Sequence, residues 1–243
     1  MEDVSQNLLG ILSFLRGNIR DNPWRVTLTY NGSNEKGLEK AAILIGKTKN
    51  VRLTHVKKPG KGNAILNGIL ESPADIVVYM DADLATDLKD LPFLIRCVEE
   101  GADLATGSRY HPESKIKRNF VRWVVSKFYT GFLLKIGLGA TFTDPQCGFK
   151  AVNRKKILPV LLTIQDYWFF FETELEYRVQ QNGLKIMEIP VKWTEMTNSS
   201  VALVPTIINF LKNLYRIRFK PVPKGAPWKE EVKIVKDASF SKD

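Results

Sequence analysis

Two aspartates, Asp81 and Asp83, stand one residue apart directly after the apolar run Ile76-Val77-Val78-Tyr79-Met80. Carboxylates that close repel one another, so a cation between them is the arrangement in which both stay ionised. Magnesium and manganese suit such oxygen ligands and often share their shell with phosphate oxygens. The pair therefore points to a divalent-metal site for a phosphorylated substrate, with a solvated strand end as the plainer alternative. Two turns precede it: Asn31-Gly32-Ser33 after one β-prone run, and Gly60-Lys61-Gly62 after another. Glycine lets backbone amides approach a phosphate or ribose, and lysine adds a point charge. Gly107-Ser108-Arg109-Tyr110 follows a later strand-like run, and Arg109, Arg118 and Arg122 with Ser126 make a basic cluster. Arginine matches phosphate oxygens with paired donors, and a serine hydroxyl adds another. In the loop Thr143-Asp144-Pro145-Gln146-Cys147-Gly148-Phe149-Lys150, Asp144 could orient sugar hydroxyls, stabilise developing charge or act as a base. Glu172 and Glu174 stand at a helix start, where capping and dipole complementarity also favour carboxylates.

The elements that must position these residues alternate. Strands are expected over Arg25–Tyr30, Val51–Val56, Ile76–Met80 and Asp103–Thr106, with helices over Leu38–Ile45, Asn63–Leu70 and Leu88–Glu100 between and after them. That order predicts a parallel, doubly wound α/β sheet. Ligands meet such sheets at the carboxyl ends of the strands, where the aspartate pair would sit. Ile76–Met80 reads as a strand buried on both faces. An N-terminal helix is expected over Asn7–Arg16. Phe120–Leu138 is apolar on most sides, and Arg118, Arg122, Ser126 and Thr130 recur every four residues as one polar stripe. Helices over Leu158–Leu162 and Phe169–Val179, a strand over Lys185–Ile189 and a basic amphipathic helix over Val204–Phe219 complete the pattern. The reading is one domain over residues 1–220, with membrane-surface helices at about 118–138 and 203–219. Beyond Pro221 the Pro, Lys and Glu content predicts a disordered tail over 221–243.

A chain of 243 residues, 44% of them hydrophobic, can bury one substantial core. Its net charge of +10 favours an anionic partner: nucleic acid, an acidic membrane surface or a phosphorylated substrate. Cys97 and Cys147 are far apart in no metal-like spacing, which argues for a reducing compartment and against a disulfide framework. His55 and His111 are isolated, which argues against a histidine-based metal or nucleophile–base site. No run of about 18 apolar residues is present, so no membrane-spanning helix is expected. Met1-Glu2-Asp3 is acidic where a signal peptide would be basic.

The ordered set of motifs resembles the inverting GT-A-type glycosyltransferases that charge polyprenyl phosphates with a sugar, the dolichyl-phosphate glucose and mannose synthases and their bacterial relatives. The matching segments are Asn31-Gly32-Ser33, Gly60-Lys61-Gly62, Asp81-Ala82-Asp83, Gly107-Ser108-Arg109-Tyr110, Arg122 with Ser126, Asp144 to Lys150, Glu172-Thr173-Glu174-Leu175 and Pro190-Val191-Lys192-Trp193. The resemblance implies a Rossmann-like, mostly parallel sheet flanked by helices, ending in an amphipathic C-terminal helix. It implies Asp83 as the main ligand of Mg2+ or Mn2+ and Asp81 as a contact to metal or nucleotide. Asn31, Gly32 and Lys61 would line the nucleotide-sugar pocket, for a UDP- or GDP-hexose. Arg109, Arg122 and Ser126 would hold the acceptor phosphate, and Asp144 would sit near the sugar and the reacting centre. The place implied is the cytoplasmic face of an anionic membrane, without a nucleic-acid partner.

The chain also departs from that family. The family opens with an apolar strand and a Pro-x-Tyr-Asn-Glu-like loop, whereas this chain begins with what reads as the following helix, so the first strand is expected to be missing. Its loss would leave a gap flanked by unpaired backbone groups. Tyr30 stands where the family usually has aspartate, and Ala85 where the mannose enzymes tend to place a ligand. Gln146-Cys147 leans toward the glucose enzymes. Three other readings stay open: the same fold acting on a soluble saccharide, a non-catalytic basic binding module, and a degenerate relative. Loss of lipid-phosphate use on replacing Arg122 separates the first of these. Steep salt dependence of duplex binding would mark the second.

Overall fold

The alternation of β-branched runs with amphipathic ones becomes strand and helix in turn. A computed structural model describes residues 2–20, 22–46, 48–117, 127, 133–195, 203–220 and 233–237, which fall into two compact units. The first unit holds α1 (Glu2–Asn18), β1 (Val26–Asn31), α2 (Glu35–Ile45), β2 (Val51–Val56) and α3 (Lys61–Glu71). The Asn34 side chain accepts from the Gly37 amide and so starts α2 with a cap. β1 and β2 run parallel, in register from Val26 opposite Val51 to Asn31 opposite Val56. Leu8 and Leu12 of α1, Ala41 and Ile45 of α2, and Val51 and Leu53 of β2 close one apolar core.

The second unit holds β3 (Ile76–Met80), a 3₁₀ turn at Leu88–Asp90, α4 (Leu91–Glu99), β4 (Leu104–Ser108), β5 (Lys115–Lys117) and α5 (Lys135–Leu138). It continues with β6 (Phe149–Asn153), α6 (Arg154–Leu161), α7 (Phe171–Gln181), β7 (Ile186–Pro190), β8 (Lys192–Thr194) and α8 (Leu203–Phe219). Its main sheet has the order β3-β6-β4-β7, with β6 antiparallel to both neighbours and β4 parallel to β7. β5 and β8 form a parallel ribbon. Phe142, Phe170, Tyr177, Phe210, Leu214 and Ile217 belong to the core that seats α8.

The structure amends three expectations. β3 is half-buried along its length rather than buried on both faces, because among the described residues it pairs with β6 alone and lies at a sheet edge. β6 begins within the stretch read as a loop, at Phe149 and Lys150, and continues to Asn153, where no strand was expected. Lys233–Asp237, in the stretch read as a disordered tail, forms β9, antiparallel to β2 in the first unit. β1–β2, β4–β7 and β5–β8 pair in parallel, whereas β2–β9, β3–β6 and β4–β6 are antiparallel, so the sheets are mixed. Arg118, Arg122, Ser126 and most of the helix expected over Phe120–Leu138 lie outside the described residues.

Candidate functional site

In the second unit, β3 ends in the sharp turn Asp81-Ala82-Asp83-Leu84. The Leu84 amide donates to the Asp81 carbonyl at 3.2 Å, and Leu84 has φ +53°. A left-handed leucine costs roughly 1–2 kcal/mol, so the surroundings must enforce the turn. They do so through β8: the Thr194 amide donates to the Ala85 carbonyl and the Asp87 amide to that of Lys192, each at 2.9 Å. Asp83 is exposed, with Oδ1 accepting from the Ala85 amide at 3.1 Å. Asp81 is half-buried, and its amide donates to the Gly148 carbonyl at 2.9 Å. A Cβ at Gly148 would overlap the Asp81 carboxylate, so only glycine lets the loop after Thr143 lie against it. Met80, Asp81, Leu84, Ala85, Thr86, Gly148 and Phe149 line a small recess there.

The other end of this loop grips Arg109. Asp144 is fully buried; its Oδ2 accepts from the Arg109 amide at 2.8 Å and from Nε at 2.7 Å, and its Oδ1 accepts from Nη2 at 2.7 Å. The fork is the strong, planar geometry of a charge-assisted pair. Burial works to lower the Arg109 pKa, and the adjacent Asp144 charge more than reverses it, so the guanidinium stays protonated. Its Cζ lies over the Trp193 ring, 5.2 Å from the ring centroid. Glu188 of β7 accepts from the Thr143 and Asp144 amides at 2.8 and 3.1 Å and from the Thr143 hydroxyl at 2.9 Å. Gln146 Nε2 donates to the Thr173 hydroxyl at 2.8 Å. Burial, then the Asp144 charge, pushes the Cys147 thiol up to about 12, leaving it inert as a nucleophile.

Beneath the loop lies a buried charge cluster. Lys150 Nζ donates to the Pro145 carbonyl at 2.6 Å and to Glu172 at 3.1 Å, with Glu176 at 3.4 Å. Neither Glu176 oxygen has a hydrogen-bond partner among the described residues. Burial, offset in part by Lys150, holds its pKa up at about 8. Glu174 accepts the guanidinium fork of Arg216 from α8 at 2.9 and 2.6 Å. Sequence reasoning flagged Glu172 and Glu174 but missed Lys150 as a buried cation, and it missed Glu176, Glu188 and Arg216. The available signal for Glu188 was an acid inside the otherwise apolar run Ile186-Met187-Glu188-Ile189.

In the first unit, Asn31 Nδ2 donates to the Gly60 carbonyl at 2.8 Å and the Gly32 amide to that of Val56 at 3.0 Å. This draws the two turns together. His55 Nε2 lies 2.7 Å from the Gly32 carbonyl. Lys61 opens α3 behind Gly60, where no side chain caps the first-turn amides, an arrangement that favours an anion.

Asp81 and Asp83 together offer hard carboxylate oxygens of the kind Mg2+ or Mn2+ takes, and the donor chemistry fits such an ion. Among the described residues no three His, Cys, Asp or Glu side chains gather to complete a cage. The remaining ligands would therefore be phosphate oxygens and water, as is usual for magnesium.

The family model of glycosyl transferase family 2 matches residues 5–161. The chain is 32% identical over 195 residues to glycosyltransferase AglD of Haloferax volcanii, covering 79% of this chain and 31% of that protein. It is 28% identical to the dolichyl-phosphate beta-glucosyltransferase of Dictyostelium discoideum, over 81% of this chain and 63% of that one. The chain thus spans about a third to under two thirds of the length of these relatives. Among solved structures, glucosyl-3-phosphoglycerate synthase from Mycobacterium tuberculosis with Mn2+ and UDP-glucose superposes with a TM-score of 0.58 at 18% identity, covering 87% of this chain and 74% of that one. That likeness establishes a shared GT-A-type fold.

Proposed function

The chain belongs to glycosyl transferase family 2, and from that membership we propose that it transfers a hexose from a UDP- or GDP-sugar to a polyprenyl, dolichyl-type phosphate. Glucose is the first candidate and mannose the next; the transfer inverts the anomeric centre and uses Mg2+ or Mn2+. The names of the relatives support the acceptor class. The observation that carries the reading is one short loop that lies against the Asp81 carboxylate at one end and holds the Arg109 fork at the other.

In the reaction, an acceptor phosphate oxygen attacks the anomeric carbon, and the bond from that carbon to the nucleoside diphosphate breaks. The phosphate is already anionic, so no strong base is required. This agrees with Asp144, which is buried with both oxygens engaged by Arg109 and so serves charge placement better than proton abstraction. Asn31, Gly32 and Lys61 would meet the nucleotide. Asp81 and Asp83 would hold the metal, which supplies neutralisation of the departing diphosphate. Arg109, with Arg122 and Ser126, would meet the acceptor phosphate. The work of the chain is then positioning.

We also propose that the protein acts as a peripheral protein at the cytoplasmic face of the membrane. Ile207, Ile208, Leu211, Tyr215 and Phe219 are exposed along α8, with Lys212 and Arg218 between them. Trp168 and Phe169, also exposed, precede Phe170, whose ring packs edge-on to that of Phe210 of α8. Apolar and aromatic side chains interleaved with cations suit a headgroup interface. Among the described residues no helix is long and apolar enough to cross a membrane.

The test is sugar transfer to a short polyprenyl phosphate from a panel of UDP- and GDP-sugars, with Mn2+, Mg2+ or a chelator. The expected result is metal-dependent transfer from one donor. Donor hydrolysis without lipid product, or transfer to a soluble saccharide in its place, would overturn the acceptor assignment.

A further inference from the structure

We propose that Glu188 is a positioning residue for the transfer site: through Thr143 and the Asp144 amide it fixes the loop that presents the Asp144–Arg109 fork. The inference rests on the reading above, in which Arg109 meets the acceptor phosphate.

Glu188 sits in mid-strand on β7, opposite Thr106 of β4, two residues before the end of β4 that leads into Arg109. A half-buried carboxylate in an apolar strand is costly unless donors converge on it. Three do. Oε1 accepts from the Thr143 amide at 2.8 Å and the Asp144 amide at 3.1 Å, and the Thr143 hydroxyl lies 2.9 Å from each carboxylate oxygen. The Thr143 hydroxyl is also 2.7 Å from Ser108 Oγ. Its single proton goes to the carboxylate, so Ser108 donates to Thr143. The direction of that chain is set by Glu188 as terminal acceptor.

The chain brackets Arg109 from both sides. Ser108 precedes it in sequence, and the Ser108 carbonyl accepts from Ser114 Oγ at 2.6 Å. Ser114 Oγ in turn accepts from the Val191 amide at 2.9 Å, three residues beyond Glu188. Gly107, just before, lies so close to β7's end that a Cβ there would come within 2.6 Å of Val191 Cγ1. Glu188 touches neither Arg109 nor Asp144's carboxylate. It holds the backbone from which the Asp144 carboxylate reaches the guanidinium.

The experiment compares wild type, Glu188→Gln and Glu188→Ala. Amide hydrogen exchange is read at Thr143 and Asp144, and transfer kinetics at varied acceptor and varied donor. Gln retains the Oε1 acceptor for both amides. In E188A both amides should lose protection, and kcat/KM for the polyprenyl phosphate should fall by about 100-fold, the scale of a misplacement near 1 Å. Donor KM should hold, and E188Q should recover most of both readouts. Thr143→Val serves if E188A does not fold; it removes the hydroxyl link alone and should give an intermediate loss. Unchanged exchange in E188A overturns the proposal. So does a loosened loop with unchanged acceptor kinetics, or donor and acceptor constants failing together. If wild type transfers nothing, the acceptor reading falls, and amide exchange alone decides whether Glu188 holds the loop.

Discussion

Lys150 faces two carboxylates, Glu172 and Glu176, where no water reaches any of the three. One cation cannot keep both acids ionised in such a place, and burial lifts Glu176 to about 8. The sign follows: a carboxyl that titrates higher folded than unfolded favours the fold while protonated. That contribution is whole below the ordinary carboxylate range and is lost as pH rises through about 8. Melting temperature should therefore fall over that window, and Glu176→Gln, which mimics the protonated acid, should flatten the fall in a pH series of thermal melts. The Asp144–Arg109 pair yields a second expectation. Asp144→Ala strands a buried guanidinium and should cost about 3–5 kcal/mol in urea unfolding. Replacing both residues by apolar ones should recover much of that stability without recovering transfer. Asp81, Arg109 and Asp144 were each visible in the sequence because their types and loop positions are chemically loaded. That Arg109 spends its fork on Asp144 was not visible, since 35 residues separate them and it is the pairing of β4 with β6 and with β7 that brings them together.

Among the elements, α8 is the one whose pattern the sequence half revealed. Its amphipathic character was legible, but a single apolar face was expected opposite the basic one. The structure gives two apolar stripes: Phe210, Leu214 and Ile217 turn inward, while Ile207, Leu211, Tyr215 and Phe219 recur every four residues facing out. Arg216, one of the cations that make this helix basic, turns to the buried Glu174. The two faces should separate on mutation. Arg216→Ala removes a charge-assisted fork and should destabilise by about 2–3 kcal/mol. Leu211→Ser with Tyr215→Ser should leave melting unchanged, since both side chains are exposed, yet weaken sedimentation with lipid vesicles. Elements with regular periods, α2 to α4 and β1 to β4, were found within about three residues of their observed bounds, whereas α1 starts at Glu2, ahead of the expected Asn7. β6 was not, because Phe149-Lys150-Ala151-Val152-Asn153 carries a lysine at its second position. Glu172 and Glu176, supplied by α7, and the Pro145 carbonyl make that lysine tolerable in a strand.

At the scale of the molecule, the charge of +10 becomes informative when joined to the outward stripe of α8. Charge alone is compatible with nucleic acid, lipid or a phosphorylated substrate, and in the sequence it was the family resemblance that favoured a membrane. A stripe of isoleucine, leucine, tyrosine and phenylalanine has no use on a phosphate backbone, whereas a bilayer surface takes both features. The two contributions respond differently to salt. Screening shortens from about 10 Å at 0.1 M to about 3 Å at 1 M, which removes attraction to anionic headgroups but leaves apolar insertion intact. Binding to phosphatidylserine-containing vesicles should therefore fall with salt to a plateau above zero, and neutral vesicles should show the plateau alone. The Leu211→Ser, Tyr215→Ser variant should keep the salt-sensitive part and lose the plateau. Binding that salt abolishes entirely would mean the stripe does not enter the bilayer, and equal binding to duplex nucleic acid would return the charge to an unspecific role.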